Sequence, residues 1–198
     1  MSEVDTADPI LLEIRRSAAI IKFNRPATRN CLSDETLTRL DSIITELLRT
    51  NDIDSLIFTG RDNIFLSGAD IRELNNLDHS NALLFAERGQ LLFAKVAAAK
   101  QLTVAAINGH CMGGGLDFAL ACNMRIASPT AVFAHPGARL GIITGWGGTQ
   151  RLPRLVGINR AIEFFATARR LDSAEALKMG LIHVVDAAPV DYALRFSE

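Results

Sequence analysis

The sequence is poor in the residues that build covalent or metal scaffolds. Cys31, Cys111 and Cys122 are its three cysteines, an odd number with no C-x-x-C pair. That excludes a disulfide framework, argues against a zinc site and leaves buried reduced thiols as the reading. The four histidines, His79, His110, His135 and His183, show no H-E-x-x-H spacing, so no metal is expected. No apolar run approaches the roughly 20 residues of a membrane span, and Met1-Ser2-Glu3-Val4-Asp5 is acidic where a signal peptide is basic. The expectation is a cytoplasmic protein without a membrane partner. Excess charge of one sign is missing too: 21 basic residues face 22 acidic ones, a net charge of −1. A balance of that kind offers no general attraction to nucleic acid and points to a compact, specific site. Internal repeats and low-complexity stretches are absent as well.

Apolar residues, by contrast, make up 48% of the 198, enough for one domain with a substantial core. Two short apolar runs, 10–15 and 18–23, flank Arg16-Ser17 and predict a β-hairpin that Pro26 closes. Ser33 followed by Asp34-Glu35 is a helix start, and Leu37, Leu40, Ile43, Ile44, Leu47 and Leu48 repeat at helical spacing behind it. Residues 56–60 predict a buried strand, 81–99 a long helix, and 103–107 another strand. Further strands are expected at 123–127 and 131–134 around a Ser128-Pro129 turn, then helices at 149–156, 159–168 and 173–179. The alternation argues an α/β fold.

The chemistry concentrates in two glycine-bearing turns. In Asn108-Gly109-His110-Cys111-Met112-Gly113-Gly114-Gly115-Leu116-Asp117, three glycines break an apolar run just before a helix, which leaves the Gly114 amide without an intrahelical partner. Such a helix start attracts negative charge. If the Ala69 amide of Ser67-Gly68-Ala69-Asp70-Ile71 faced it, the pair would hold an oxygen that turns anionic during reaction. No Lys-Ser or Lys-Thr follows the glycines and no G-x-G-x-x-G is present, which rules out phosphate-loop readings.

These two turns, with Asn24-Arg25-Pro26 and Asn30-Cys31-Leu32-Ser33, Phe133-Ala134-His135-Pro136-Gly137, and Gly147-Gly148-Thr149-Gln150-Arg151-Leu152-Pro153, resemble the crotonase superfamily in order and spacing. Its best-known members are the enoyl-CoA hydratases and isomerases. The resemblance implies one domain over 1–198, a spiral of stacked β-β-α turns over 1–172, with 173–198 beginning a C-terminal helical region that is otherwise largely absent. It implies an acyl-CoA thioester as substrate, no cofactor beyond the coenzyme A carried by that substrate, and a homotrimer or dimer of trimers working in fatty acid metabolism. The Ala69 and Gly114 amides would polarise the thioester carbonyl. Arg25, Thr28 and Arg29, with Ser67, Ala69, Asp70, Ile71 and Arg72, stand where relatives hold the nucleotide and pantetheine, and Gly137 and Trp146 would complete the substrate site.

Asp117 occupies the position of a hydratase glutamate. It is read as the acid/base, against the alternative of a carboxylate that only complements the helix dipole. The second hydratase glutamate falls at residue 137, and Gly137 has no proton to give. Isomerase-type proton transfer is therefore expected over efficient hydration, and Gly137→Glu is expected to raise hydration if the geometry is intact. His135 or Thr144 could approach the gap, although a histidine before Pro136 reads first as structural. Bicarbonate in place of the missing carboxylate, as in dihydroxynaphthoyl-CoA synthases, is disfavoured because those read S-G-G-D-Q where this chain has Ser67-Gly68-Ala69-Asp70-Ile71. Trp146 either narrows the acyl pocket or covers a loop. The rival reading is a non-catalytic acyl-CoA-binding or assembly subunit.

Overall fold

The computed structural model describes residues 8–197. Strands β1 (Ile10–Arg15) and β2 (Ala18–Phe23) form the expected antiparallel hairpin, turning at Arg16 with φ +54°. After a 3-10 turn at Pro26–Thr28 come β3 (Cys31–Leu32) and α1 (Asp34–Leu47). Helix α1 begins where its sequence says, since the Ser33 side chain accepts from the Thr36 amide and Leu37, Leu40, Ile43, Ile44 and Leu47 are buried along one stripe.

The chain then winds. Strand β4 (Ser55–Thr59) lies in the long sheet, β5 (Ile64–Leu66) and β6 (Gly68–Ala69) leave it, and α2 (Ile71–Leu74) and α3 (Ala82–Ala97) return across the outside. The next turn is β7 (Leu102–Ile107), β8 (His110–Met112) and α4 (Gly114–Ala121). A third is β9 (Met124–Ala127), β10 (Val132–Ala134), a 3-10 turn at Pro136–Leu140, then α5 (Gly148–Val156) and α6 (Ile158–Thr167). Strand β11 (Leu171–Asp172), α7 (Ser173–Lys178), β12 (Val184–Val185) and α8 (Pro189–Leu194) follow. Each turn contributes one strand to a six-stranded sheet, β1-β2-β4-β7-β9-β12, and β5, β8 and β10 pair in parallel in a second sheet that β11 edges. This is the spiral of β-β-α turns that the resemblance implied.

The two sheets and α1, α3 and α4 enclose the main core. At its centre Phe118 of α4 packs edge-on against Phe58, Phe93 and Phe23, at centroid distances of 4.9, 5.3 and 5.9 Å. Helix α4 is buried from Gly115 to its end, and Asp117 goes in with it. A second, smaller cluster lies on the other face of the long sheet, where Ile20, Ile57, Val104 and Ile126 are covered by Ala193 of α8. Two side chains from the family-like segments act as brackets. Asn30 accepts from the Arg25 amide at 2.8 Å and donates to the Ile64 carbonyl at 2.9 Å, and Asn108 accepts from the Gly60 amide at 2.9 Å and donates to the Asp62 carbonyl at 2.8 Å. Amide side chains that satisfy several backbone groups at once fix the loops between strands. Among the described residues, no helix is long and apolar enough to cross a membrane, and no group of His, Cys, Asp or Glu could hold a metal ion.

Candidate active site

Glycine geometry builds the centre of the site. Gly113, at φ +52°, turns β8 into α4, and its amide donates to the Ala134 carbonyl at 2.9 Å, tying the helix start to β10. Gly114 opens α4, so its amide is one that a helix leaves without an internal partner. Strand β6 comes within contact of it: a Cβ built on Gly68 would lie 3.1 Å from the Gly114 nitrogen, and one built on Gly114 would lie 3.5 Å from the Ala69 nitrogen. The two turns singled out in the sequence are thus adjacent.

They form one wall of a cleft of about 490 Å³. Ser67, Gly68, Ala69, Gly113 and Gly114 line it, together with Ile71, His135, Gly137, Thr144 and Trp146. Helix α6 supplies Ile162 and Phe165, which sequence reasoning did not place here; their helical spacing in an amphipathic helix was the available signal. Among the described residues, no Asp, Glu, Lys or Arg lines the cleft.

Asp117 lies behind this wall, with no exposed surface. The Thr144 hydroxyl donates to its Oδ2, and its Oδ1 lies 3.2 Å from His135 Nε2. Burial raises the Asp117 carboxyl to about 7, although the Thr144 hydrogen bond, the Gly148 and Trp146 amides and the Arg151 charge all pull it down. His135, packed against Phe164 and Phe165 at ring distances of 5.9 and 4.9 Å, is pushed down by burial to about 4 and is neutral.

The Gly137 position is occupied from the other side. Ile142 donates its amide to the Gly137 carbonyl at 3.0 Å, and its own carbonyl would lie 2.6 Å from a Cβ at residue 137. The intact geometry on which a gain of hydration by Gly137→Glu depends is therefore not present: a side chain there meets the Ile142 carbonyl, which must move to admit it.

Trp146 is 3% exposed and is one of the residues lining the cleft. Its indole fills the gap between Gly89 of α3 and Gly114 of α4, donates from Nε1 to the Phe85 carbonyl at 3.2 Å, and stacks near Phe85 and Phe93. Other sequence-marked residues sit outside the cleft lining. Arg25 pairs with Glu35 at 3.0 Å, the Thr28 hydroxyl donates to the Arg25 carbonyl at 3.2 Å, and Arg29 ends the 3-10 turn at φ +56°. Asp70 caps α2, accepting from the Arg72 amide and side chain, whose hydrogen bonds hold its carboxyl down at about 2.

Residues 13–193 match the family description "Enoyl-CoA hydratase/isomerase". The chain belongs to the enoyl-CoA hydratase/isomerase family. Similar relatives include the short-chain-enoyl-CoA hydratase of Clostridium acetobutylicum, 36% identical over 89% of this chain and 68% of that protein. The crotonyl-CoA hydratase of Syntrophomonas wolfei is 38% identical over the same shares of both chains. Among solved structures, the enoyl-CoA hydratase of Bacillus anthracis superposes with a TM-score of 0.91 at 32% identity, over 96% of this chain and 75% of that one. DspI of Pseudomonas aeruginosa also reaches 0.91, at 34% identity over 99% of this chain and 76% of its own. The fold is thus that of the enoyl-CoA hydratase/isomerase family.

Proposed function

We propose that the chain acts on acyl-CoA thioesters and moves a proton within the acyl group, as an isomerase does, in preference to adding water. One observation carries the preference: the Ile142 carbonyl fills the Gly137 position, while Asp117 is joined to the cleft through the lining residue Thr144. Hydration needs one group to activate water and a second to protonate the α-carbon, whereas isomerisation runs on one acid/base unit used twice. A 3-enoyl-CoA would lose an α-proton, its electron pair would spread onto the thioester oxygen, and the proton would return at the γ-carbon. The Ala69 and Gly114 amides would hold that oxygen, at roughly 3 kcal/mol of barrier lowering per donor. Their adjacency and the free helix start support this reading. Family membership supports assembly as a homotrimer or dimer of trimers.

The test runs 3-enoyl-CoA isomerisation and crotonyl-CoA hydration side by side. Isomerisation is expected to exceed hydration, and Asp117→Asn to lower it by about 10²–10⁴-fold, the usual worth of a general acid/base. Robust hydration that survives Asp117→Asn refutes the reading. A cleft lined without any charged residue, above a carboxylate with no exposed surface, favours a second reading as a non-catalytic acyl-CoA-binding subunit. Tight calorimetric binding with no turnover of either substrate would establish it.

A further inference from the structure

We propose that the Thr144 hydroxyl is the group that exchanges the proton with the substrate, relaying it to and from the buried Asp117. This rests on the acyl-CoA isomerase reading above. Three observations point the same way. Asp117 has no exposed surface and is not part of the cleft wall, so it cannot itself touch a bound acyl group. Thr144 is half-buried, lines the cleft, and donates its hydroxyl to Asp117 Oδ2. The 138–146 loop that closes the Gly137 position is the same loop that delivers Thr144, so the loss of one proton-carrying site and the gain of the other are one structural event.

His135 does not compete for the role. The nitrogen it offers, Nε2, is fully buried and aimed at Asp117 Oδ1, and its ring is held by Phe164 and Phe165. It lies beside the second carboxylate oxygen without hydrogen-bonding it, so the hydrogen-bonded end of the carboxylate is Oδ2 with Thr144. The other titratable or charged groups facing Asp117 are Arg151 on α5 and Cys111 on β8, whose thiol burial pushes well up.

In the forward leg the α C–H bond breaks and its electron pair enters the enolate. The proton goes to Thr144 Oγ as the hydroxyl's own proton crosses to Asp117 Oδ2. In the return leg Asp117 gives its proton back to Oγ while the hydroxyl protonates the γ-carbon. No co-reactant is consumed.

The experiment compares Thr144→Val, nearly isosteric but without a hydroxyl, with Thr144→Ala and Thr144→Ser, following kcat, KM and the pH profile of isomerisation. Both hydroxyl-free variants are expected to lose about 10²-fold in kcat with little change in KM, and Thr144→Ser to recover most of that loss. The acid limb of the Thr144→Val profile should move to higher pH, because the carboxylate has lost the hydrogen bond that favours its ionised form. A Thr144 that only hydrogen-bonds the carboxylate would move the limb but leave the plateau kcat unchanged in a folded Thr144→Val or Thr144→Ala protein. Wild-type turnover with unchanged hydroxyl-free variants overturns the relay and leaves the isomerase reading standing. Absence of wild-type isomerisation overturns both.

Discussion

Asp117 and His135 are buried against each other, and burial shifts them in opposite directions, the carboxyl up to about 7 and the imidazole down to about 4. Unfolded, their ordinary values are 3.8 and 6.5, so between about pH 4 and 6.5 the unfolded chain holds an ionised aspartate and a protonated histidine. The folded chain holds both groups neutral in that window. The proton count is the same, and the pair leaves stability insensitive to pH there. Asp117→Asn removes one half of this cancellation. His135 still resists protonation, so stability should fall as pH drops from about 6.5 to about 4, by roughly 1 kcal/mol per pH unit. His135→Gln should give the opposite slope, stability falling as pH rises from about 4 through about 7. Urea midpoints across that range read both, and Asn and wild-type curves that stay parallel contradict the pairing. The sequence placed Asp117 on the first turn of α4 correctly. It could not show the 138–146 loop folding back over it, because that depends on contacts between residues such as Ile142 and Gly137 that no local pattern encodes.

At the scale of elements, the interior of α3 carries a glycine that helix propensity alone disfavours by about 1 kcal/mol against alanine. Gly89→Ala ought then to stabilise. A Cβ at Gly89 would instead lie 2.3 Å from Trp146 Cδ1 and Nε1, so the variant is expected to lose about 1–3 kcal/mol from overpacking and to disturb the cleft wall. Thermal unfolding decides, and a raised midpoint contradicts the packing. Elements with a long period were legible in advance: the β1-β2 hairpin, α1, β4, α3, β7 and α4 through α7 all stand within a few residues of where their apolar spacing put them. Strands β3, β5, β6, β8, β11 and β12 did not stand out, since two or three residues carry no period. What fixes them is pairing with distant strands, as Phe133 with Cys111 across β10 and β8. Helix α8 was missed because its buried residues are only Pro189 and the small Ala193, beside the partly buried Val190, Tyr192 and Leu194.

Across the whole molecule, the long sheet has two apolar faces, one sealed into the main core and the other covered by α8. Ala193 of α8 has no exposed surface on that second side. Ala193→Asp places an unpaired charge there and is expected to cost about 2–4 kcal/mol, read as a lowered unfolding midpoint with new binding of a hydrophobic dye. Unchanged stability would mean that α8 does not stay docked. The chain has one tryptophan and one tyrosine, and the fold has put the first in the cleft wall and the second, Tyr192, on α8. The protein therefore carries two separate built-in optical reporters: ultraviolet emission from the indole follows occupancy of the cleft, and the phenol's absorbance follows the seating of the last helix.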